Sequence, residues 1–412
     1  MVTLSFRCKV SISKWSIEEL VFVSQPPGFE IAGKENMVYK LHKSLYGLKQ
    51  APRAWNKKID QVLIQLGFKK CSVEFGIYVQ KLSDGGTVII CLYVDDLLIT
   101  GSSTSEIEKV KEKLKLEFEM TDLGELSFFL GMKFVKLKAG IVIYQEKYIG
   151  VFLDKFEMKS CNTVSNPSET NSKLDECIEE EKVDSTMFRQ IVGSMRYLCN
   201  NRPDICYSVS VIRKFMHDPR KSHLIAAKRI LRYIKGTIDF GLLFPYGAQS
   251  KVNELIGYSV SDWCGDLTDM RSTSGYVFKF NEAAISWCTK KQPVTALSSC
   301  EAEYIAGTFA TCQALLLDSV MKELKCEVIK PLTLKIDNKS AISLAKNPLS
   351  HGRGKHIQTR FHFIREQVTD GIIELHYFPT KLQLTYGFTK AVKLGRFEFL
   401  RKELGVFDVE KL

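Results

Sequence analysis

Thr87-Val-Ile-Ile-Cys-Leu-Tyr-Val-Asp-Asp-Leu-Leu-Ile-Thr100 sets two β-rich apolar runs on either side of an adjacent pair of aspartates. Such runs with a polar break between them predict a hairpin with Asp95 and Asp96 at its tip. The flanks are apolar on both faces, which predicts a buried hairpin. Two neighbouring carboxylates presented by buried strands need a cation or hydrogen bonds to offset desolvation. The tip is then either a divalent-metal site or a plain turn, where aspartate is common.

Upstream, Pro52 opens a helix at the position proline tolerates best. Trp55, Ile59, Val62, Leu63 and Leu66 form its apolar stripe, and Gly67 closes it. Before and within that helix Lys40, Lys43, Lys49 and Arg53 interleave with Tyr39, Tyr46 and Trp55. The mixture suits phosphate contacts with base stacking, or simply a solvated helix entry.

Downstream the chain falls into blocks. The first runs to about Lys138, and residues 159–185 are polar and read as a connector. A helical block follows to about Pro245. In it residues 219–236 form an amphipathic helix, with His223, Ala226, Ala227, Ile230, Leu231 and Ile234 on one side. Arg220, Lys221, Lys228, Arg229, Arg232 and Lys235 supply positive charge, either as a solvated face or for nucleic-acid backbone. The last block predicts strands at 255–260, 275–280, 284–289, 332–336 and 372–378. A long helix starts near Ser298, where Ser298 and Glu301 have capping-box spacing. Ile305, Phe309, Cys312, Leu316 and Val320 are its expected buried stripe. A second helix follows Asp337 through Ala341, Leu344 and Ala345. This order implies a mixed sheet with helices packed on it.

Composition narrows the class. The chain has 412 residues, two or three domains' worth, and a net charge of +11 from 58 basic and 47 acidic side chains. That mild excess favours a polyanionic partner or serves only solubility. No two of the twelve cysteines stand at CxxC spacing, which speaks against a zinc module and for reduced thiols. The first ten residues lack the apolar core of a signal peptide, and no segment reads as long enough for a membrane span. The expectation is a soluble protein of the cytosol or nucleus.

Several ordered motifs carry a family resemblance. Lys43-Ser-Leu-Tyr-Gly-Leu-Lys-Gln-Ala-Pro-Arg-Ala-Trp55, Tyr93-Val-Asp-Asp96 and Asp122-Leu-Gly-Glu-Leu-Ser-Phe-Phe-Leu-Gly131 resemble the reverse transcriptase of copia-type LTR retrotransposon Pol polyproteins. Arg271-Ser-Thr-Ser-Gly-Tyr276, Ser298-Ser-Cys-Glu-Ala-Glu-Tyr304, Asp337-Asn-Lys-Ser-Ala-Ile342 and Lys355-His-Ile-Gln-Thr-Arg-Phe-His-Phe-Ile-Arg-Glu366 resemble the ribonuclease H part of the same polyprotein.

The resemblance implies a partial α+β polymerase palm over 1–138, without its fingers and so N-terminally truncated. It implies a thumb or connection region over 139–250, an α/β ribonuclease H-like domain over 251–400 and a tail over 401–412. It implies two-metal phosphoryl transfer with Mg²⁺ or Mn²⁺. Asp95 and Asp96 would be the metal ligands of the polymerase; Glu303 and Asp337 would be those of the ribonuclease H. Lys49, Gln50, Arg53, Tyr93, Arg229 and Arg232 would touch nucleic acid. The implied partners are an RNA template, an RNA–DNA hybrid, a DNA primer and deoxynucleotides, with no membrane.

The pattern also breaks. The family places an earlier catalytic aspartate shortly before the run that is Gln25–Phe29 here, yet no aspartate precedes Asp60. Arg7 or Cys8 falls near that place. The family's Gly-Tyr-Ser-Asp-Ala-Asp-Trp is Gly257-Tyr-Ser-Val-Ser-Asp-Trp263, so Val260 holds the aspartate position. Asp262 lies on the same strand face, about 7 Å farther along. Tyr386 takes the place of the last carboxylate. Glu303 is the better candidate of the Glu301/Glu303 pair, because Glu301 is spaced for the cap; Asp337 could instead cap the next helix. The expectations are therefore an impaired enzyme, a binding remnant or a decayed copy, with apolar surface exposed in the first block and poor solubility.

Overall fold

Alternation of burial along the aspartate hairpin shows what the first block is built around. In the computed structural model, β6 (Thr87–Tyr93) buries Val88 and Ile90, and β7 (Asp96–Gly101) buries Leu97 and Ile99. The structure describes residues 4–10, 16–43, 48–49, 51–170, 174–175, 177–247, 253–266, 268–347, 357 and 359–412. It has two compact units: Met1–Phe129 with Ser319–Lys325, and Leu130–Asp318 with Cys326–Leu412.

In the first unit, β1 (Leu4–Val10) lies in a sheet of order β4-β5-β6-β7-β1-β8. Its other members are β4 (Lys69–Lys70), β5 (Ile77–Lys81) and β8 (Met120–Glu125). Helices α1 (Ala51–Gln65) and α2 (Thr104–Glu117) supply Trp55, Ile59, Val62, Leu63, Ile107, Val110 and Leu114 to one core with the hairpin. Ser103 caps α2 by accepting from the Glu106 amide. The expectation of a hairpin buried on both faces is corrected. Ile89, Cys91, Leu98 and Thr100 are only half-buried, as in antiparallel sheets packed on one side. A separate ribbon pairs β2 (Ser16–Ser24) with β3 (Val38–Lys43) and leaves Leu20, Phe22, Phe29, Ile31 and Met37 exposed. The short β9 (Phe128–Phe129) ends the unit's main segment.

The second unit joins what sequence reading divides. An antiparallel sheet contains β10 (Met132–Lys136), β11 (Gly140–Tyr144) and β12 (Phe240–Pro245). Between β11 and β12 come α3 (Glu146–Lys155), α4 (Ser185–Leu198), α5 (Cys206–Arg213) and α6 (Lys221–Lys235), packed around Phe152, Phe188, Met195, Ile230 and Ile234. The second sheet has order β15-β14-β13-β16-β17. Strands β13 (Leu255–Ser261), β14 (Thr273–Phe280) and β15 (Ala283–Lys291) are antiparallel. Strands β16 (Leu332–Ile336) and β17 (Ile373–Tyr377) run parallel to β13.

Three boundaries move. The compact units part at Phe129, not Lys138. Residues 139–250 and 251–400 share a core in which Cys206 and Leu242 meet Tyr258, Val277 and Phe388. Residues 401–412 are no tail, because β18 (Val406–Asp408) pairs with β12 and buries Val406 beside Leu404.

Helix α7 (Ser299–Glu323) lies in part against the second sheet, and its expected stripe is also corrected. Cys312 and Leu316 are exposed, while Ala302, Ile305, Ala306, Ala310 and Ala314 are buried. Small residues let the helix approach closely. A Cβ on Gly307 would come within 2.9 Å of Ile364 and 3.2 Å of Ile336. By length and composition α7 passes for a membrane span, contrary to the sequence reading, but half of that stretch is buried in the protein.

Candidate functional site

Tyr93 pairs with Asp96, so Val94 and Asp95 alone make the hairpin turn. Val94 takes φ of 53°, a left-handed backbone that a β-branched residue rarely adopts. The turn is held from below, where the Trp55 indole Nε1 donates to the Val94 carbonyl at 2.5 Å. Trp55 is 1% exposed and meets Phe118 edge-on at 5.2 Å. Tyr93 and Val94 reach solvent, as do Lys49 and Arg53, while Asp95 and Asp96 are half-buried. Gln50 and the Ser44–Gly47 part of its motif lie outside the described residues.

The strand beside this hairpin is β1. Its antiparallel register sets Lys9 opposite Asp96, Cys8 opposite Leu97 and Arg7 opposite Leu98. Its seven residues, Leu-Ser-Phe-Arg-Cys-Lys-Val, include two cations and no carboxylate.

The second acidic site belongs to the sheet of the second unit. Glu303, in the first turns of α7, is 5% exposed, and its Oε1 accepts from the Ser261 amide at 2.8 Å. Asp337 follows β16, and its Oδ2 accepts from Thr380 Oγ1 at 3.2 Å. Burial first, then the charge of Asp337, raise the Glu303 carboxyl well above its ordinary 4.5, against the pull of the Ser261 amide. Its Oε2 is buried and meets no donor.

The neighbouring alternatives separate cleanly. Asn338, not Asp337, caps α8 (Lys339–Lys346) by accepting from the Ala341 amide at 3.0 Å. Glu301 accepts from the Leu297 amide at 2.7 Å and so serves the helix entry.

Around this pair the remaining positions are a valine, a tyrosine and a third acid. Val260 is 2% exposed. Tyr386 is half-buried in the turn Leu384–Phe388, with Lys390 Nζ 3.8 Å from its ring centre. Asp262 stands past the end of β13, and its Oδ1 accepts from the Thr273 amide, so it is tied to β14. Burial pushes the Asp262 carboxyl up to about 6, opposed by that amide and by Lys214 and Lys390.

The basic helix α6 turns inward more than expected. Arg229 Nη1 pairs with Glu169 at 2.5 Å and its Nε donates to the Asn166 carbonyl at 3.2 Å. Arg232 Nε donates to the Asn162 carbonyl at 2.7 Å, and Lys235 donates to the Cys161 carbonyl. These side chains fasten the polar connector to α6. Sequence reading missed this use, along with the anchoring bond of Trp55 and the ammonium of Lys390. A connector rich in free carbonyls next to a basic helix was the available signal for the first.

Comparison with known proteins agrees with the motifs. The sequence model of the family described as reverse transcriptase (RNA-dependent DNA polymerase) matches residues 9–170. The Pol polyprotein of transposon TNT 1-94 from Nicotiana tabacum is 38% identical over 407 residues, 97% of this chain but 30% of that protein. The chain therefore spans less than a third of the polyprotein. A putative transposon Ty5-1 protein of Saccharomyces cerevisiae is 34% identical over 297 residues, 71% of this chain and 95% of that protein. A foamy viral protease–reverse transcriptase solved with double-stranded DNA aligns at 12% identity over 95% of this chain and 61% of that one, with a TM-score of 0.22, too low to argue from. With a match of that length to the Ty5-1 protein, the chain belongs to the copia-type retrotransposon Pol family.

Proposed function

We propose that the chain is a reverse transcriptase palm joined through its connection region to a ribonuclease H-like domain, retained as a nucleic-acid-binding protein with impaired catalysis. The observation that carries this reading is the register of β1. The strand paired with the Asp96 strand sets Lys9 opposite Asp96 in register, and none of its seven residues is acidic. The family's reaction needs two divalent ions bridged by carboxylates from both places.

The ribonuclease H-like site supports the same conclusion. The order β15-β14-β13-β16-β17, with three antiparallel and two parallel additions, suits that domain. Glu303 and Asp337 form an acidic pair with a donor-free oxygen, the kind of group a cation would satisfy. The Val260 side chain offers no oxygen, Tyr386 sits under an ammonium, and Asp262 has one oxygen tied to the Thr273 amide. Magnesium demands near-octahedral oxygen ligation, and this set does not fit a metal pair. No reaction step is assigned through one.

Primer extension and RNA–DNA hybrid cleavage, each with Mg²⁺ or Mn²⁺, test the reading. No turnover is expected in either assay. The hybrid should still bind modestly and with strong salt sensitivity, because phosphate contacts release counterions. Turnover would refute the impairment; affinity indifferent to salt would refute the binding role.

A further inference from the structure

One buried amide next to the Glu303–Asp337 pair has no place in the reading so far. Gln292 is the first residue after β15, and its side chain is 1% exposed. Its Nε2 lies 2.8 Å from the Ala302 carbonyl, 2.9 Å from Ser274 Oγ and 3.2 Å from Ser261 Oγ. Its own amide donates to the Ser272 carbonyl at 2.7 Å, which fixes where the side chain starts. The orientation of the carboxamide follows from chemistry. A backbone carbonyl only accepts, so the NH₂ end must face Ala302. Its two hydrogens serve the Ala302 carbonyl and the nearer Ser274 hydroxyl, with Ser261 Oγ at 3.2 Å able only to share one of them. One side chain therefore ties the start of β14 to the first turn of α7 beside the end of β13.

Those elements carry the acidic site. Ala302 precedes Glu303, and Ser261 supplies the amide that Glu303 Oε1 accepts at 2.8 Å. Moving α7 by a few tenths of an ångström along its axis would carry Glu303 away from that amide. Other bonds at the helix entry do not prevent this. Trp263 Nε1 reaches the Ala296 carbonyl at 3.1 Å, and Leu297 reaches Glu301 at 2.7 Å, but both restrain the loop before the helix. At this end of the helix Gln292 reaches from the helix backbone to the strands, while Gln313, farther along α7, bonds to Ser286 of β15.

We infer that Gln292 is a positioning residue, setting the depth at which α7 presents the Glu303 carboxylate to the Ser261 amide and to Asp337. This deepens the reading of that pair as the remnant of a metal site, yet the positional claim can be tested without any metal. Gln292→Met keeps the volume and removes the donors; Gln292→Glu keeps the shape and removes the donor to Ala302. Hydrogen exchange on the full chain reads the result.

In both variants the Ser261 amide should exchange at least tenfold faster, while the central amide of Leu334 on β16 is unchanged. A purely structural role would speed both together, and unchanged exchange at Ser261 would also overturn the inference. A second arm adds Mn²⁺ alone to Val260→Asp/Tyr386→Asp, with and without Gln292→Met. Binding weakened five- to tenfold by the third substitution is expected, and equal binding would count against the inference. If Mn²⁺ fails to bind even the double variant, the metal-site reading falls, while the Ser261 result still decides the role of Gln292.

Discussion

The hairpin tip of the first unit and the helix–strand junction of the second each hold an acidic pair, yet the fold treats them differently. Asp95 and Asp96 are half-buried on a solvent-facing turn, where water screens their charge. Glu303 is nearly enclosed, and the molecule accommodates it by favouring its protonated form. Acids at the hairpin therefore cost the fold little, whereas the enclosed Glu303 is a standing cost in the interior. What holds the first site is one buried side chain, Trp55, packed on Phe118 and bonded to the Val94 carbonyl. What holds the second is a set of hydrogen bonds.

Four variants sharpen or break this contrast. Trp55→Ala removes the anchor and should cost about 3–5 kcal/mol, read by urea unfolding; a loss below about 1 kcal/mol would show that the turn does not depend on the indole. Restoring the acids with Val260→Asp/Tyr386→Asp puts unpaired charge beside Glu303. It should lower stability by about 3 kcal/mol at pH 8, with part regained on adding Mg²⁺. If melting temperature ignores both changes, those two positions do not face the pair.

Glu303→Gln should stabilise the chain by about 1–3 kcal/mol at pH 7. The sign follows from linkage. The folded carboxyl is raised above 4.5, so the native state keeps a proton that the unfolded state releases. The stability this represents is complete below about pH 4.5 and is lost as pH climbs through the folded value. The benefit of the substitution should therefore vanish toward pH 4.5; a benefit equal at pH 4 and pH 8 would exclude burial of charge as its cause. The smallest effect belongs to Val94→Gly. Relief of the positive φ should add about 1 kcal/mol and leave hybrid binding unaltered, and a net loss would mean that the valine side chain contributes contacts of its own.

Much of this was legible in the sequence. The aspartate hairpin, the α1 stripe and five strands of the second sheet follow from alternation, β-branching and glycine breaks. The α7 face was misread because large apolar residues draw the eye. The helix instead buries alanines, and close approach to a sheet favours small side chains. The tail was misread because Val406 pairs with a strand more than 160 positions earlier, a partnership that local pattern cannot reveal. At the sites, residue types were readable but register was not. That Lys9 stands opposite Asp96 is set by strand pairing, and a one-residue slip in that pairing would leave composition untouched. The inward use of Arg229 and Arg232 depends on where the connector lies, which periodicity does not encode.

The narrow seat of Gly307 beneath Ile364 and Ile336 has a consequence for how such a protein ages. Any larger residue there must push apart packed aliphatic chains, so almost every change is punished at once. An aspartate swapped for valine among the acidic positions meets no such resistance and can even relax the interior. Random change will then erase the chemistry long before it erodes the architecture.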